Sequence, residues 1–462
     1  MLYVSRTLFG VTVLLGFAAA ACGGGGNVTD VAPDLRPVTD VGREVDPVNR
    51  IAYVSPSGDL FTVDPDGSGL AQLTGGLQAE RESGGHGSPG EGSLGEGSQG
   101  SIQAQPWRLN EYYTWPTWSA DGTRLAASRV VVREDRTDIS LEVLDARTGR
   151  SETVYVNDQA GLIAEGAPHY IYWAPSGDAL SFLVVTPEGL ALFVWDGTPG
   201  NAADLVQRGA PLYFQWSNDA KVMALHVGAD ITLARTPFGS APLQTFQSSG
   251  GFRVPAISPD GTRLAYVAAT EEGAGLYVAP INDLDQARQI IDVGNFSAFL
   301  WSPDGTQLAV GDQPNPRIPY FNRLMLVPVG DQPVTSLSTE EVMAFYWAPT
   351  GDKLAWVTIN AAEQEIEWMV SPSDGSGAKR LFGFQPSGEG LIMLSFFDQY
   401  AYSHSPWSPD GKSLVVAGSQ RTSARGSNGR TPTGDRIYVL DAEGDTAPLD
   451  LGAGVLAFWS WN

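Results

Sequence analysis

The stretch WSPDGTQLAV (301–310) returns along the chain in close variants. WSADGTRLAAS begins at Trp118, WAPSGDALSFL at Trp173, WSNDAKVMALH at Trp216, ISPDGTRLAYV at Ile257, WAPTGDKLAWV at Trp347 and WSPDGKSLVVA at Trp407. Successive starts lie 41 to 60 residues apart. A period of this length, with four short strands per unit, is the mark of a β-propeller.

Each part of the phrase has a mechanical reason. An aromatic closes a short apolar strand such as FSAFLW (296–301). Ser-Pro-Asp-Gly then makes a type I turn, in which proline presets φ, aspartate bonds back to the local backbone and glycine accepts positive φ. TQLAV returns as the second strand of a hairpin. A third strand follows, as in GLYVAP (275–280) or DRIYVLD (435–441), and then a more polar outer strand such as QARQIID (286–292). The recurring tryptophan is expected between neighbouring sheets, where a flat ring fills a wedge-shaped gap.

The two ends bear on the count. IAYVSPSGDLFTVDPDGSGLAQLT (51–74) supplies second, third and fourth strands without a convincing first, and VLAFWSWN (455–462) is a first strand with no unit after it. AFWSW there aligns with AFLWSP (298–303) and AFYWAP (344–349). The expectation is an all-β, eight-bladed propeller closed by the C-terminal strand pairing in the N-terminal blade. Seven further blades would start near Thr114, His169, Pro211, Phe252, Phe296, Val342 and Tyr402. If the unit at Trp216 is an insertion, seven blades remain; if Ser55-Pro56-Ser57-Gly58 is an inner turn, the closure differs.

Composition agrees with short strands and many turns: 54 glycines and 31 prolines stand in a chain only 17% charged. The formal net charge of −24 disfavours a nucleic-acid partner, which needs a basic footprint to displace counterions. Lysine occurs only at Lys221, Lys353, Lys379 and Lys412, so the basic side is nearly all arginine.

The one cysteine, Cys22, precludes an internal disulfide. Residues 1–21 carry Arg6, an apolar run from Leu8 to Phe17 and four alanines, the pattern of a secretory signal. AAAC (19–22) resembles a bacterial lipobox, although leucine is usual where Ala19 stands; ordinary cleavage and an uncleaved anchor helix are the alternatives. Lipidation at Cys22 would tether the protein to a membrane without crossing it, exported to the periplasm or the cell exterior. Residues 22–49, rich in glycine, proline and scattered acids, read as a flexible tether, and 76–106 as a low-complexity, disordered insertion.

The pattern SPDG-x-x-LA-x-V, followed by a third strand and a D-x-D-G turn such as Asp64-Pro65-Asp66-Gly67, resembles the WD40-like PD40 repeat of TolB-type propellers. The resemblance covers roughly residues 50–462. It implies the fold strongly and the function weakly. TolB has an additional N-terminal α/β domain, where this chain has only the tether. The same propeller caps serine peptidases of the dipeptidyl- and oligopeptidase type, whose hydrolase domain is not expected here.

The sequence offers no catalytic constellation. G-x-S-x-G and H-E-x-x-H motifs are absent, and no glycine-rich phosphate loop opens a helix. His86, His169, His226 and His404 fall in different units and are expected at solvent or blade edges. The Asp/Gly turns (64–69, 441–445) lack the spaced carboxylates of a calcium loop. No cofactor and no metal are expected. What remains is a set of long loops on one face: Arg129, Arg133 and Arg136 between Ser128 and Ile139; Arg317, Tyr320, Phe321 and Arg323 between Gly311 and Leu324; and Arg421, Arg425, Arg430 and Arg436 between Gly418 and Ile437. On one rim these guanidinium groups would recognise carboxylate or phosphate; as separate surface loops they would simply be solvated. Loops 75–113 and 383–401 add Trp107, Tyr112, Tyr113, Phe396, Phe397 and Tyr400, which would contact peptide or glycan if exposed and seal the channel mouth if buried.

The reading is a cell-envelope, non-enzymatic binding or scaffold module for a protein or polymer partner. The alternatives are a hydrolase or lyase acting on peptide or carbohydrate in the central channel, and an accessory subunit presenting substrate to a separate enzyme.

Overall fold

The structure is a computed structural model. It describes residues 49–461 apart from 76–110, 134–135, 158–166, 178, 187, 237, 239–243, 248–252, 272, 295, 319 and 421–433. The signal, Cys22, most of the tether, the low-complexity insertion, Trp107, His86, Arg421, Arg425 and Arg430 lie outside the described residues.

Antiparallel four-stranded sheets follow one another along the chain. Glu111–Trp118, Arg124–Val132, Thr137–Asp145 and Ser151–Asn157 pair in order, as do His169–Trp173, Leu180–Thr186, Gly189–Trp195 and Asp204–Arg208. Leu212–Trp216 to Gln244–Gln247, Ala256–Ile257 to Arg288–Val293, and Ser297–Trp301 to Thr335–Ser338 repeat the arrangement. The stretch at Trp216 is therefore a complete sheet. In a further sheet Ile51–Val54 lies between Leu60–Val63 and the C-terminal Leu456–Trp459, with Ile51 opposite Trp459 and Val54 opposite Leu456. Arg50 fastens the same junction: Ser460 N–H donates to its carbonyl at 2.8 Å, and its buried guanidinium meets Asp64, Thr62 and the carbonyl of Gly69. This is the β-propeller architecture.

One sheet departs from four strands. Val342–Trp347, Lys353–Asn360, Glu365–Pro372 and Lys379–Pro386 continue into Ser413–Ser419, Arg436–Asp441 and Leu449–Ala453, because Gln385 pairs with Ser419 and Pro386 with Gly418. The expected inner strand near Tyr402 is reduced to a single bridge between Trp407 and Leu414. Residues 387–406 run elsewhere, as described below.

The repeated phrase does what its chemistry dictates. In Ser302-Pro303-Asp304-Gly305 the Gly305 N–H donates to Ser302 O at 2.8 Å, and Gly305 takes φ +67°. Ser302 Oγ donates to Asp304 at 2.6 Å, while Thr306 N–H donates to the same carboxylate. The same bonds recur at Ser119/Asp121, Ser217/Asp219, Ser258/Asp260 and Ser408/Asp410. Partial burial pushes the Asp304 carboxyl up, but bonds from Ser302 and Thr306 outweigh it and hold it below the usual range.

The tryptophans lie between sheets as expected, and five of them are also wired directly to the neighbouring unit, whereas the buried Trp459 Nε1 has no acceptor. Trp118 Nε1 donates to Phe458 O, Trp173 to Thr117 O, Trp301 to Ala256 O, Trp347 to Leu300 O and Trp407 to Tyr346 O, at 2.9–3.4 Å. Every acceptor is the carbonyl just before the equivalent position of the preceding unit, Trp in four cases and Ile257 in the fifth. Trp216 reaches its counterpart through a relay: its indole donates to Ser181 Oγ, which donates to Tyr172 O. Ile257 has no indole, and Gln215 Oε1 instead accepts from the Ile257 N–H at 2.6 Å.

Two expectations are corrected. The stretch from Ser128 to Ile139 is mostly strand, since Val130 pairs with Ile139 and both are buried. His226 and His404 are interior residues and His169 is half-buried, so the edge placement fails: strand ends and segment 387–406 carry them inward.

One turn carries strain. Ala220 occupies the glycine position of WSNDA and is held at φ +53°, where a Cβ crowds the following carbonyl. Ala220→Gly is expected to raise stability by up to about 1 kcal/mol, read as an upward shift in melting temperature. An unchanged or lower melting temperature would refute the strain.

Candidate functional site: a channel filled from within

The ligand site of a propeller is commonly its axial channel. Here residues 387–406 enter it. Pro386 ends a strand, and Ser387 caps helix α1 (Gly388–Ser395), accepting from Gly390 N–H while its hydroxyl donates to Val455 O at 2.5 Å. A short helix α2 (Phe397–Tyr400) follows, and the chain then descends to Trp407. Met393, Leu394, Phe397, Asp398, Gln399, Tyr400, Ser403 and His404 are all buried.

Inner strands from around the axis grip the segment. Phe397 packs its ring against Phe321, Phe345 and Tyr346 at 4.6–6.0 Å. Tyr400 stacks on Trp115 at 5.5 Å and 8° and meets Tyr170 edge-on at 5.4 Å. His404 packs between Tyr400 and Phe458. Thr114 Oγ1 donates to Glu389 at 2.9 Å, and Thr117 Oγ1 donates to Ser403 O at 2.7 Å. Ser405 O accepts from Trp459 N–H at 3.1 Å. The aromatic residues of 383–401 thus seal the channel, with Phe397 and Tyr400 buried and Phe396 half-buried.

Two inner strands are deformed to make this fit. Trp115 and Tyr170 adopt φ +57° and +54°, each inside a register shift (Thr114/Thr117 and His169/Tyr172). Bulky residues with positive φ are costly outliers, about 1–3 kcal/mol each. A bulge re-aims a side chain, and here both aromatics meet Tyr400.

Burial shifts ionisable groups around the segment. Burial, then neighbouring phenols and Asp398, raises Tyr170 well above the usual range; burial likewise raises Tyr346, Tyr400 and Tyr402. Burial raises the Glu389 carboxyl against the lowering bond from Thr114. Burial drives His404 down to about 3. Ser403 and His404 are hydrogen-bonded at 2.7 Å, but the imidazole is fully enclosed. A small void of about 60 Å³ remains between α1, Trp368 and Phe458, and its walls are almost wholly apolar. Among the described residues no three of His, Cys, Asp and Glu converge as a metal site.

Most of the described candidate arginines are ion-paired. Arg129 is ion-paired with Glu111 at 2.8 Å, Arg133 and Arg136 both with Asp138, and Arg436 with Asp450 at 2.5 Å. Arg323 meets Asp312, a fully buried carboxylate that also accepts from the Gly294 and Gln313 N–H groups. Arg317 is exposed, beside half-buried Tyr320. Tyr112 and Tyr113 are half-buried.

No protein-family model and no curated protein matches this sequence. Solved structures do share the fold. The dihydro-heme d1 dehydrogenase NirN superposes with a TM-score of 0.54 at 11% identity, over 91% of this chain and 77% of that one. A eukaryotic initiation factor gives 0.51 at 14% identity, over 89% and 98%. TolB from Acinetobacter baumannii gives 0.37 at 15%, over 73% and 83%. At these identities the likeness is one of fold, a β-propeller.

Because the folded His404 titrates below the 6.5 of an unfolded imidazole, the unfolded chain takes up the proton first. The stability this residue confers is therefore complete above pH 6.5 and lost as pH falls toward 3. The melting-temperature difference between wild type and His404→Gln is expected to shrink over that window, and a constant difference would contradict the burial.

Proposed function

We propose that the chain is a non-enzymatic binding or scaffold module that recognises a protein or polymer through its loop face. The observation carrying this reading is the channel filled by residues 387–406. A substrate entering there would have to displace Phe397, Tyr400 and His404, whose contacts span most of the axis. Phenols raised and an imidazole lowered by burial, at Tyr346, Tyr400, Tyr402 and His404, suit packing better than acid–base work. Recognition then falls to the rim, where Arg317 and Tyr320 stand on the 313–322 loop. The other described candidate arginines already have carboxylate partners, and with a net charge of −24 the long-range field favours a basic partner over an anionic one.

The sheets are read as eight blades. The seven-stranded sheet counts as two, fused where the inner strand of the last blade gives way to the channel segment, and the pairing of Ile51–Val54 with Leu456–Trp459 closes the ring. Removal of residues 456–462 would leave the Ile51–Val54 edge unpaired and Trp118 without its acceptor. It is expected to lower the melting temperature by several degrees, about 3 kcal/mol or more. Unchanged melting would overturn the closure.

We further propose export and lipidation at Cys22, supported by the apolar run 8–17 and the alanines before the cysteine. Cys22→Ser is expected to move the protein from the membrane to the soluble fraction. For the binding role, wild type and an Arg317→Ala/Tyr320→Ala variant are compared by cross-linking in the native envelope. A partner captured by wild type, lost in the variant and weakened by salt supports the reading. Turnover of peptide or polysaccharide by the purified protein, abolished by substitutions within 387–406, would replace it with the enzymatic one.

A further inference from the structure

Asp398 is the one acidic side chain of α2, and it is set at the heart of the filled channel, 4% exposed. The helix packs against the inner strands Leu212–Trp216, Ser297–Trp301 and Val342–Trp347, so the carboxylate stands near the axis and not within one blade. One of its oxygens, Oδ1, is buried with no hydrogen-bond donor. Among the described residues no arginine or lysine forms an ion pair with it, and residues 387–406 contain neither. Its surroundings are phenols: the carboxylate acts electrostatically on Tyr170, Tyr346 and Tyr402. A buried carboxylate with an unsatisfied oxygen costs several kcal/mol, roughly, unless something positive or hydrogen-bonding completes it.

The chemistry selects what completes it. A divalent ion is held by several carboxylates, and no cluster of three acidic, His or Cys groups exists among the described residues. A single carboxylate among phenol oxygens matches a single positive charge, and aromatic faces add favourable quadrupole attraction. We propose that Asp398 anchors a monovalent cation of sodium or potassium size on the propeller axis, completed by neutral oxygens around it. Such an ion would tie α2 into the channel, so that its loss loosens the filling segment.

The test compares melting of the full chain in sodium, potassium and choline chloride at matched ionic strength, for wild type and Asp398→Asn. Wild type is expected to melt about 2 °C higher in sodium or potassium than in choline, and Asp398→Asn to melt alike in all three. Equal melting of wild type in every salt, or the same salt response in both proteins, overturns the proposal and leaves a buried water as the partner of Oδ1. If Asp398→Asn does not fold, crystals of the unaltered protein grown in rubidium or thallium salts decide it. An anomalous peak beside Asp398 supports the site, and its absence overturns it.

Discussion

The bond from indole to the backbone of the preceding unit, made directly by Trp118, Trp173, Trp301, Trp347 and Trp407, organises the molecule. Four-stranded sheets arranged around an axis are tightest at their inner strands and splay outward, so the contact that sets the spacing must be near the axis. A tryptophan at the end of each inner strand fills the wedge, and its N–H fixes where the neighbour's backbone stands. Burying an indole N–H without an acceptor costs about 1–3 kcal/mol, so spacing and hydrogen bonding are one constraint. Two exceptions keep the connection by other means, Ser181 extending the reach of Trp216 and Gln215 replacing the missing indole at Ile257, while Trp459 packs with its buried Nε1 lacking an acceptor. The residue two places after the turn glycine adds a second tie to the next unit. Arg124 stacks over Trp173 at 4.5 Å and Arg263 over Trp301 at 4.8 Å, while Gln307 donates to Ser373 O.

With the spacing set, the width of the axis follows, and a channel ringed by aromatic inner strands would present a large apolar surface to water. Residues 387–406 remove that surface. The arrangement has costs: the last blade's inner strand shrinks to one bridge, Gly418 is forced against Gln385, and Trp115 and Tyr170 adopt positive φ. A Cβ on Gly418 would stand 2.2 Å from Gln385 O, so only glycine permits the fused pairing. Strain retained at several points around one feature indicates that the feature stabilises the fold by more than it costs.

The fold was legible because its chemistry is local. Ser302, Asp304, Gly305 and Thr306 bond within a few residues of one another, and the same pattern at Ser119, Ser258 and Ser408 makes the repeat visible without any knowledge of contacts. The filled channel was not legible for the opposite reason. Thr114 meets Glu389 across 275 residues and Thr117 meets Ser403 across 286, and no local periodicity encodes such a pairing. The cue that existed was Ser387 ahead of the apolar run LIMLSFF, a capped helix in a chain of strands. The ion pairs of the described arginines were hidden for the same reason. Arg129 faces Glu111 across a strand pair and Arg323 faces Asp312, partners chosen by register that loop lengths cannot reveal.

Charge distribution then separates the interior from the outside. The protein is strongly acidic, yet its described ion pairs lie mostly on strands and turns at the periphery, where each is worth about 0–1 kcal/mol. The axis instead collects neutral aromatics and a few polar groups whose protonation is fixed by burial. A net charge of −24 would draw in a basic partner and raise its encounter rate, but net charge alone does not select an orientation. Orientation must come from short-range features of the loop face. The 313–322 loop is anchored at both ends, by Asp312 with Arg323 and by the Phe321–Val342 bridge, so its exposed tip is held by a rigid base. Under the proposed binding role, a tip so held would present Arg317 and Tyr320 with little ordering cost, the property a recognition loop requires.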